Sequence, residues 1–222
     1  PVAGPGTDFK ALGVTEPGQT FSGLWAHWNM NANFAASFDQ WFLNLFPRET
    51  PFVFNNGGYQ TLNFVPALIT MILGLMAGEN LRSEKTPGEK LNWLLKAGGL
   101  CLVLALVTGT TLCPVIKRLW TPSWALYSGA VVLWTFALFY WFIDIKGRKA
   151  WTFPLVVVGM NSIAIYVAYQ LTGGWIRSVG RTWLGNDLFT GTTGALASSL
   201  LVLGVLWTFC WWLYRRKVFI RI

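Results

Sequence analysis

Five stretches of this chain are each apolar for about 20 residues, the length a helix needs to cross a bilayer core about 30 Å thick. They are Tyr59 to Gly78, about Leu94 to Cys113, Ser123 to Ile143, Trp151 to Leu171, and Gly194 to Tyr214. Lys96 lies near the end of the second, where a long side chain can reach the interface. Asp144 stops the third and Arg215-Arg216-Lys217 stop the fifth. Five such runs within 222 residues predict an all-α, polytopic transmembrane helical bundle over 59–222, preceded by an irregular outer segment with short helices over 1–58.

The composition agrees. Charged residues are 12% of the chain, where a soluble domain has about 25%. The net charge of +8 comes from 17 scattered Lys and Arg rather than a dense run, so nucleic acid is not an expected partner. Cys101 and Cys210 fall in apolar stretches and Cys113 at the edge of one. An odd count without C-x-x-C spacing predicts neither disulfides nor a metal site.

Basic residues alternate between the two sides. Arg82, Lys85, Lys90, Lys96, Lys146, Arg148, Lys149, Arg215, Arg216, Lys217 and Arg221 fall on one, and Lys10, Arg48, Lys117, Arg118, Arg177 and Arg181 on the other. The positive-inside rule makes the richer side, and the C-terminus, cytoplasmic. Tryptophans mark both interfaces: Trp93, Trp141, Trp151, Trp211 and Trp212 on the inner, Trp120, Trp124, Trp175 and Trp183 on the outer. Trp134 and Trp207 lie deeper and are expected to pack between helices. An outer leading segment starting at Pro1 implies a longer membrane protein whose missing front carries at least one more span.

Few residues point to chemistry. The one histidine, His27, sits between Trp25 and Trp28 with no partner base or nucleophile spacing, and so supports no triad. Asn161, beside Ser162, falls at the midpoint of the fourth run. An amide there either marks a substrate path or bonds one helix to another, and both readings stand. Asn63 and Thr70 of the first run are read the same way. Gly74 and Gly78 form a GxxxG pair, read as close helix packing. Asn33 and Asp39, six apart, suit a short interfacial helix. An amide and a carboxylate there fit a sugar's hydroxyls or only cap a surface helix. Arg177 and Arg181, between Trp175 and Trp183, read as an amphipathic interfacial turn that can also meet an acidic group.

Several motifs occur in fixed order: NFAASFD (Asn33 to Asp39), NFVPALITMILGLMAG (Asn63 to Gly78), PVIKRLWTPSW (Pro114 to Trp124), YWFIDIKGRKAW (Tyr140 to Trp151) and VVGMNSIAIYVAY (Val157 to Tyr169). Over roughly residues 30 to 170 they resemble the C-terminal half of the heparan-α-glucosaminide N-acetyltransferase family and its bacterial NagX-like relatives of the DUF5009 type. The resemblance implies an acetyltransferase that takes acetyl from acetyl-CoA on the cytoplasmic side and delivers it to the amine of a glucosamine-type sugar on the other. It implies a bacterial cytoplasmic membrane, acetyl-CoA as co-substrate and no metal. The family's catalytic histidine is expected upstream of this stretch. His27 does not match its setting and is the one candidate within the chain. Asn33, Asp39, Asn161 and Ser162 are then candidates for the sugar and its path. Lys146, Arg148 and Lys149 are candidates for CoA phosphates, or else ordinary positive-inside charge. Two readings of other classes stay open: a transporter of a sugar or lipid-linked saccharide, with Asn161 as a midplane contact, and a non-enzymatic membrane subunit that binds a partner through its GxxxG face. A homo-oligomer is compatible with each, and a membrane O-acyltransferase of another family is the near neighbour of the first.

Overall fold

The structure, a computed structural model, describes residues 7–14 and 20–220. Arg221, counted above among the inner basic residues, lies outside them. The fold is all-α apart from one two-residue hairpin. Among the described residues, four helices are long and apolar enough to cross a membrane, or five when a helix pair bent by 65° is counted as one span. The protein is an integral membrane protein. The chain divides into two compact units, residues 1–146 and 147–222. The leading segment falls in the same unit as the first three long helices.

In the first unit, three asparagines alternating in WNMNAN knit the leading segment together. Trp28–Asn29 (β1) pairs antiparallel with Ala32–Asn33 (β2), and Asn31 takes a left-handed φ of 56° between them, which Asn tolerates better than most residues. Asn29 grips Phe21 through both its amide N–H and its carbonyl (Oδ1 accepts the Phe21 amide at 2.6 Å, Nδ2 donates to Phe21 O at 2.9 Å). The Asn31 side chain donates to the carbonyls of Leu12 and Asn55. Asn33 caps helix α1 (Phe34–Leu43) by accepting from the Ala36 amide at 2.9 Å. All three are buried, so each hydrogen bond replaces water that has been removed.

The long helices follow. Helix α2 is Phe64–Arg82. Helix α3, Pro87–Thr111, begins seven residues before the expected Leu94, because Thr86 and Glu89 form a reciprocal capping box with Pro87 in the first turn. Helix α4, Pro122–Phe139, continues as a π-turn over Tyr140–Ile145. The core of this unit lies between α3 and α4, where Leu94, Cys101, Leu133 and Ala137 are buried with Ala77 of α2. The helices approach closely at Gly98, where a Cβ would lie 2.5 Å from the Trp134 indole, and Trp134 Nε1 donates to Leu95 O at 3.2 Å. Trp134 thus packs between helices as expected. The GxxxG reading does not hold within this chain: a Cβ at Gly74 or Gly78 would meet nothing within 4 Å. Close approach falls at Gly98 and Gly129 instead.

In the second unit, α5 (Phe153–Gly159) and α6 (Ser162–Leu184) meet at a 65° bend, and α7 is Gly191–Arg215. The expected fourth span, Trp151 to Leu171, therefore contains this bend. Helix α5 is about 10 Å long and α6 about 34 Å, and the two are long and apolar enough to cross only when taken together. Ile176, Val202 and Leu206 form the core between α6 and α7, with Ile165, Ala168 and Leu201 against it. Gly180 lets Leu201 approach closely. Trp207 donates to Pro154 O at 3.1 Å, which ties α7 to α5.

Candidate functional site

Asn161 sits in the break before α6, not mid-helix, with φ −134° and ψ 39°, and it is fully buried. Its Nδ2 donates to Val218 O at 3.2 Å and its Oδ1 accepts the Ile220 amide at 3.0 Å. The amide therefore binds the segment that follows α7. Ser162 is exposed on the first turn of α6 and lines an apolar groove between α6 and α7. Replacing Asn161 with Leu is expected to remove the partner of the Val218 carbonyl and of the Ile220 amide, at a cost of about 1–3 kcal/mol for the two hydrogen bonds. Lower thermal stability in detergent, together with faster hydrogen exchange at the Ile220 amide, checks this; unchanged exchange contradicts it.

Lys146, Arg148 and Lys149 lie exposed after the π-turn. The Lys146 ammonium lies 5.4 Å over the Trp141 ring, an ordinary interfacial pairing.

In the first unit, a cavity of about 360 Å³ opens at the end where α2 and α4 begin. His27, Trp28, Asn33, Gln60, Asn63 and Trp120 are among its lining residues. Its size falls in the range of small-molecule sites. Each wall has a local cause. His27 and Asn33 come from the knitted hairpin, with His27 exposed at the rim. The Trp28 indole N–H donates to Leu112 O at 3.0 Å, which fixes the hairpin to the end of α3. Gln60 precedes a 3-10 turn, Thr61–Asn63. That turn is held by Asp39 of α1, whose two carboxylate oxygens accept the Thr61 amide at 3.1 and 3.0 Å. Asp39 is buried and shapes the wall through this bond.

Trp120 is held by a buried hydroxyl cluster. Thr121 caps α4, accepts the Ile116 amide at 3.1 Å and donates to Pro114 O at 2.9 Å. Ser123 donates to the same carbonyl at 3.0 Å. This knot closes the 114–121 loop and forces Trp120 to φ 51°. A bulky side chain in the left-handed region costs about 1–3 kcal/mol, and such strain persists where the surroundings over-determine it.

Two of the residues lining this cavity, Gln60 and Trp120, carry buried side-chain N–H groups (Nε2 and Nε1) without a hydrogen-bond partner among the described residues. Gln60 is only 9% exposed. Both atoms are donors, and both belong to the wall of a mostly apolar pocket. Of the sequence candidates, His27 and Asn33 come together here, and Asp39 stands behind the wall. Asn161 and Ser162 belong to the second unit. From sequence, Trp120 is an interfacial marker and Gln60 carries only the weak signal of a polar residue at the start of an apolar run; its missing partner is a tertiary fact.

No protein-family model and no solved structure matches the chain. It is similar to the Homo sapiens protein heparan-alpha-glucosaminide N-acetyltransferase, at 25% identity over 173 residues that cover 72% of this chain and 24% of that protein. The chain thus spans about a quarter of that relative's length.

Proposed function

We propose that this chain is the acceptor-side part of a membrane-embedded N-acyltransferase, which places the amine of a glucosamine-type sugar to receive an acetyl group. The cavity with two unpartnered donors carries this reading. A sugar offers hydroxyl and ring oxygens to Gln60 Nε2 and Trp120 Nε1, and the indoles of Trp28 and Trp120 give its apolar ring face a surface. The similarity to an N-acetyltransferase of a glucosaminide supports the same acceptor class. The cavity end of the first unit is the outer side in this reading, with the C-terminus cytoplasmic and a bacterial cytoplasmic membrane as the setting.

The chemistry is acyl transfer. The amine lone pair attacks the acetyl carbonyl carbon, a C–N bond forms, the bond to the carrier breaks, and a general base takes the amine proton. Acetyl-CoA is the proposed donor, with Lys146, Arg148 and Lys149 as candidates for its phosphates. His27 lies at the rim and contacts the acceptor. Asn33 and Asp39 act by positioning the wall. The helix break at Asn161 gives no support to a transporter, since its amide is already engaged by the chain that follows α7.

Membranes carrying the full-length protein, given acetyl-labelled acetyl-CoA and glucosamine, are expected to yield labelled N-acetylglucosamine. N-acetylglucosamine offered instead should accept no label, because its amine is blocked. Well-folded protein that labels neither sugar overturns the proposal.

A further inference from the structure

The outer part of α6 carries two features that meet at one residue. A polar cavity of about 400 Å³ is lined by Gly174, Arg177, Ser178, Arg181, Thr182 and Asn186, with no carboxylate in its lining. An apolar groove of about 510 Å³ runs between α6 and α7 past Tyr169, Ile165, Val202, Leu203 and Leu206 to Ser162. Arg177 lines both.

From these we infer that the second unit holds a membrane lipid, its phosphate headgroup at Arg177 and Arg181 and an acyl chain in the groove below. The site is independent of the acceptor cavity, which lies in the other unit. Arg177 is organised in advance. Its guanidinium donates to Tyr169 Oη at 3.1 Å and lies 5.8 Å over the same ring. Arg181 follows one turn later on the same face. Two guanidinium forks match phosphate oxygens better than point charges do, and Ser178 and Asn186 supply neutral donors beside them. Gly174 leaves the floor open, since a Cβ there would meet nothing within 4 Å.

Depth agrees with the chemistry. Arg177 and Arg181 stand 15 and 19 residues along α6 from Ser162, about 22 and 28 Å, so with Ser162 at one interface of a core about 30 Å thick Arg181 reaches the other, and the long Arg177 side chain can snorkel to it. Trp175 and Trp183, 67% and 83% exposed, flank the turn as interfacial aromatics do. The groove below is lined mainly by apolar side chains, Ile165, Val202, Leu203 and Leu206 among them, which suits an acyl chain.

Native mass spectrometry of the full chain in detergent tests this with dioleoyl phosphatidylglycerol, dioleoyl phosphatidylcholine and inorganic phosphate as probes. Phosphatidylglycerol is expected to bind more tightly than phosphatidylcholine, whose choline sets a positive charge against the arginines. The Arg177→Gln/Arg181→Gln double variant is expected to bind phosphatidylglycerol about 30-fold more weakly. Leu203→Trp, which fills the groove and leaves the charge untouched, is expected to weaken it as well. If excess inorganic phosphate displaces the lipid completely and Leu203→Trp binds normally, the site is one for free phosphate and the lipid assignment fails. Equal retention of phosphatidylglycerol by the wild type and the double variant also overturns it. Should the double variant misfold, Leu203→Trp and the phosphate competition decide on their own.

Discussion

Replacing Gln60 with Leu and Trp120 with Phe in the full-length protein is expected to lower kcat/KM for acetylation of the amino sugar about 100-fold while the fold stays as stable or becomes more so. Each substitution removes one buried donor from the cavity. A hydrogen bond to a neutral sugar oxygen contributes about 1.4 kcal/mol, a factor of ten. The stability half of the prediction distinguishes a binding role from a structural one. Neither N–H has a partner in the free protein, so removing it breaks no bond and relieves a desolvation penalty. A structural residue would give the opposite pattern, with stability and activity falling together. Steady-state kinetics with varied glucosamine, beside thermal unfolding in detergent, separates the two. Unchanged kinetics in a well-folded double variant would show that the acceptor binds elsewhere.

A large stability loss is expected from Gly98→Val. Its Cβ would lie 2.5 Å from the Trp134 ring, and the added methyls drive the indole off the helix and away from the Leu95 carbonyl it now bonds. Overpacking together with the lost bond costs about 2–4 kcal/mol. The neighbouring Gly99 is the control: a Cβ there meets nothing within 4 Å. Gly99→Val is expected to leave the α3–α4 pair intact. Comparable loss in both variants would mean that the effect comes from backbone propensity and not from the close approach at Trp134.

These residues also show what a sequence can disclose. The membrane helices were legible because lipid demands unbroken apolar length, and that demand is written locally. Trp134 and Trp207 were legible as inter-helix residues because they lie deep within their runs. Glycine contacts were not: Gly74 and Gly78 have the familiar spacing but face open space, whereas Gly98 has no such signature and makes the tight approach. Spacing cannot say which face of a helix meets a neighbour. The α5–α6 break was hidden because the run from Trp151 to Leu171 is apolar on both sides of it, and Arg177 and Arg181 made the true helix look like a loop. The cavity was half legible. Asn33 and His27 stand out as polar residues among apolar ones. Gln60 and Trp120 matter only because nothing pairs with them after folding.

The clamp on Asn161 bears on how the protein is made. Its partners lie 57 and 59 residues downstream. At a synthesis rate of about 5–20 residues per second the amide waits roughly 3–11 s before either arrives. During that interval the corner between α5 and α6 is unlocked, and water or the insertion machinery has to satisfy the Asn161 side chain. The corner therefore closes only after α7 has been threaded through the bilayer, so biogenesis of the second unit finishes from its distal end backwards.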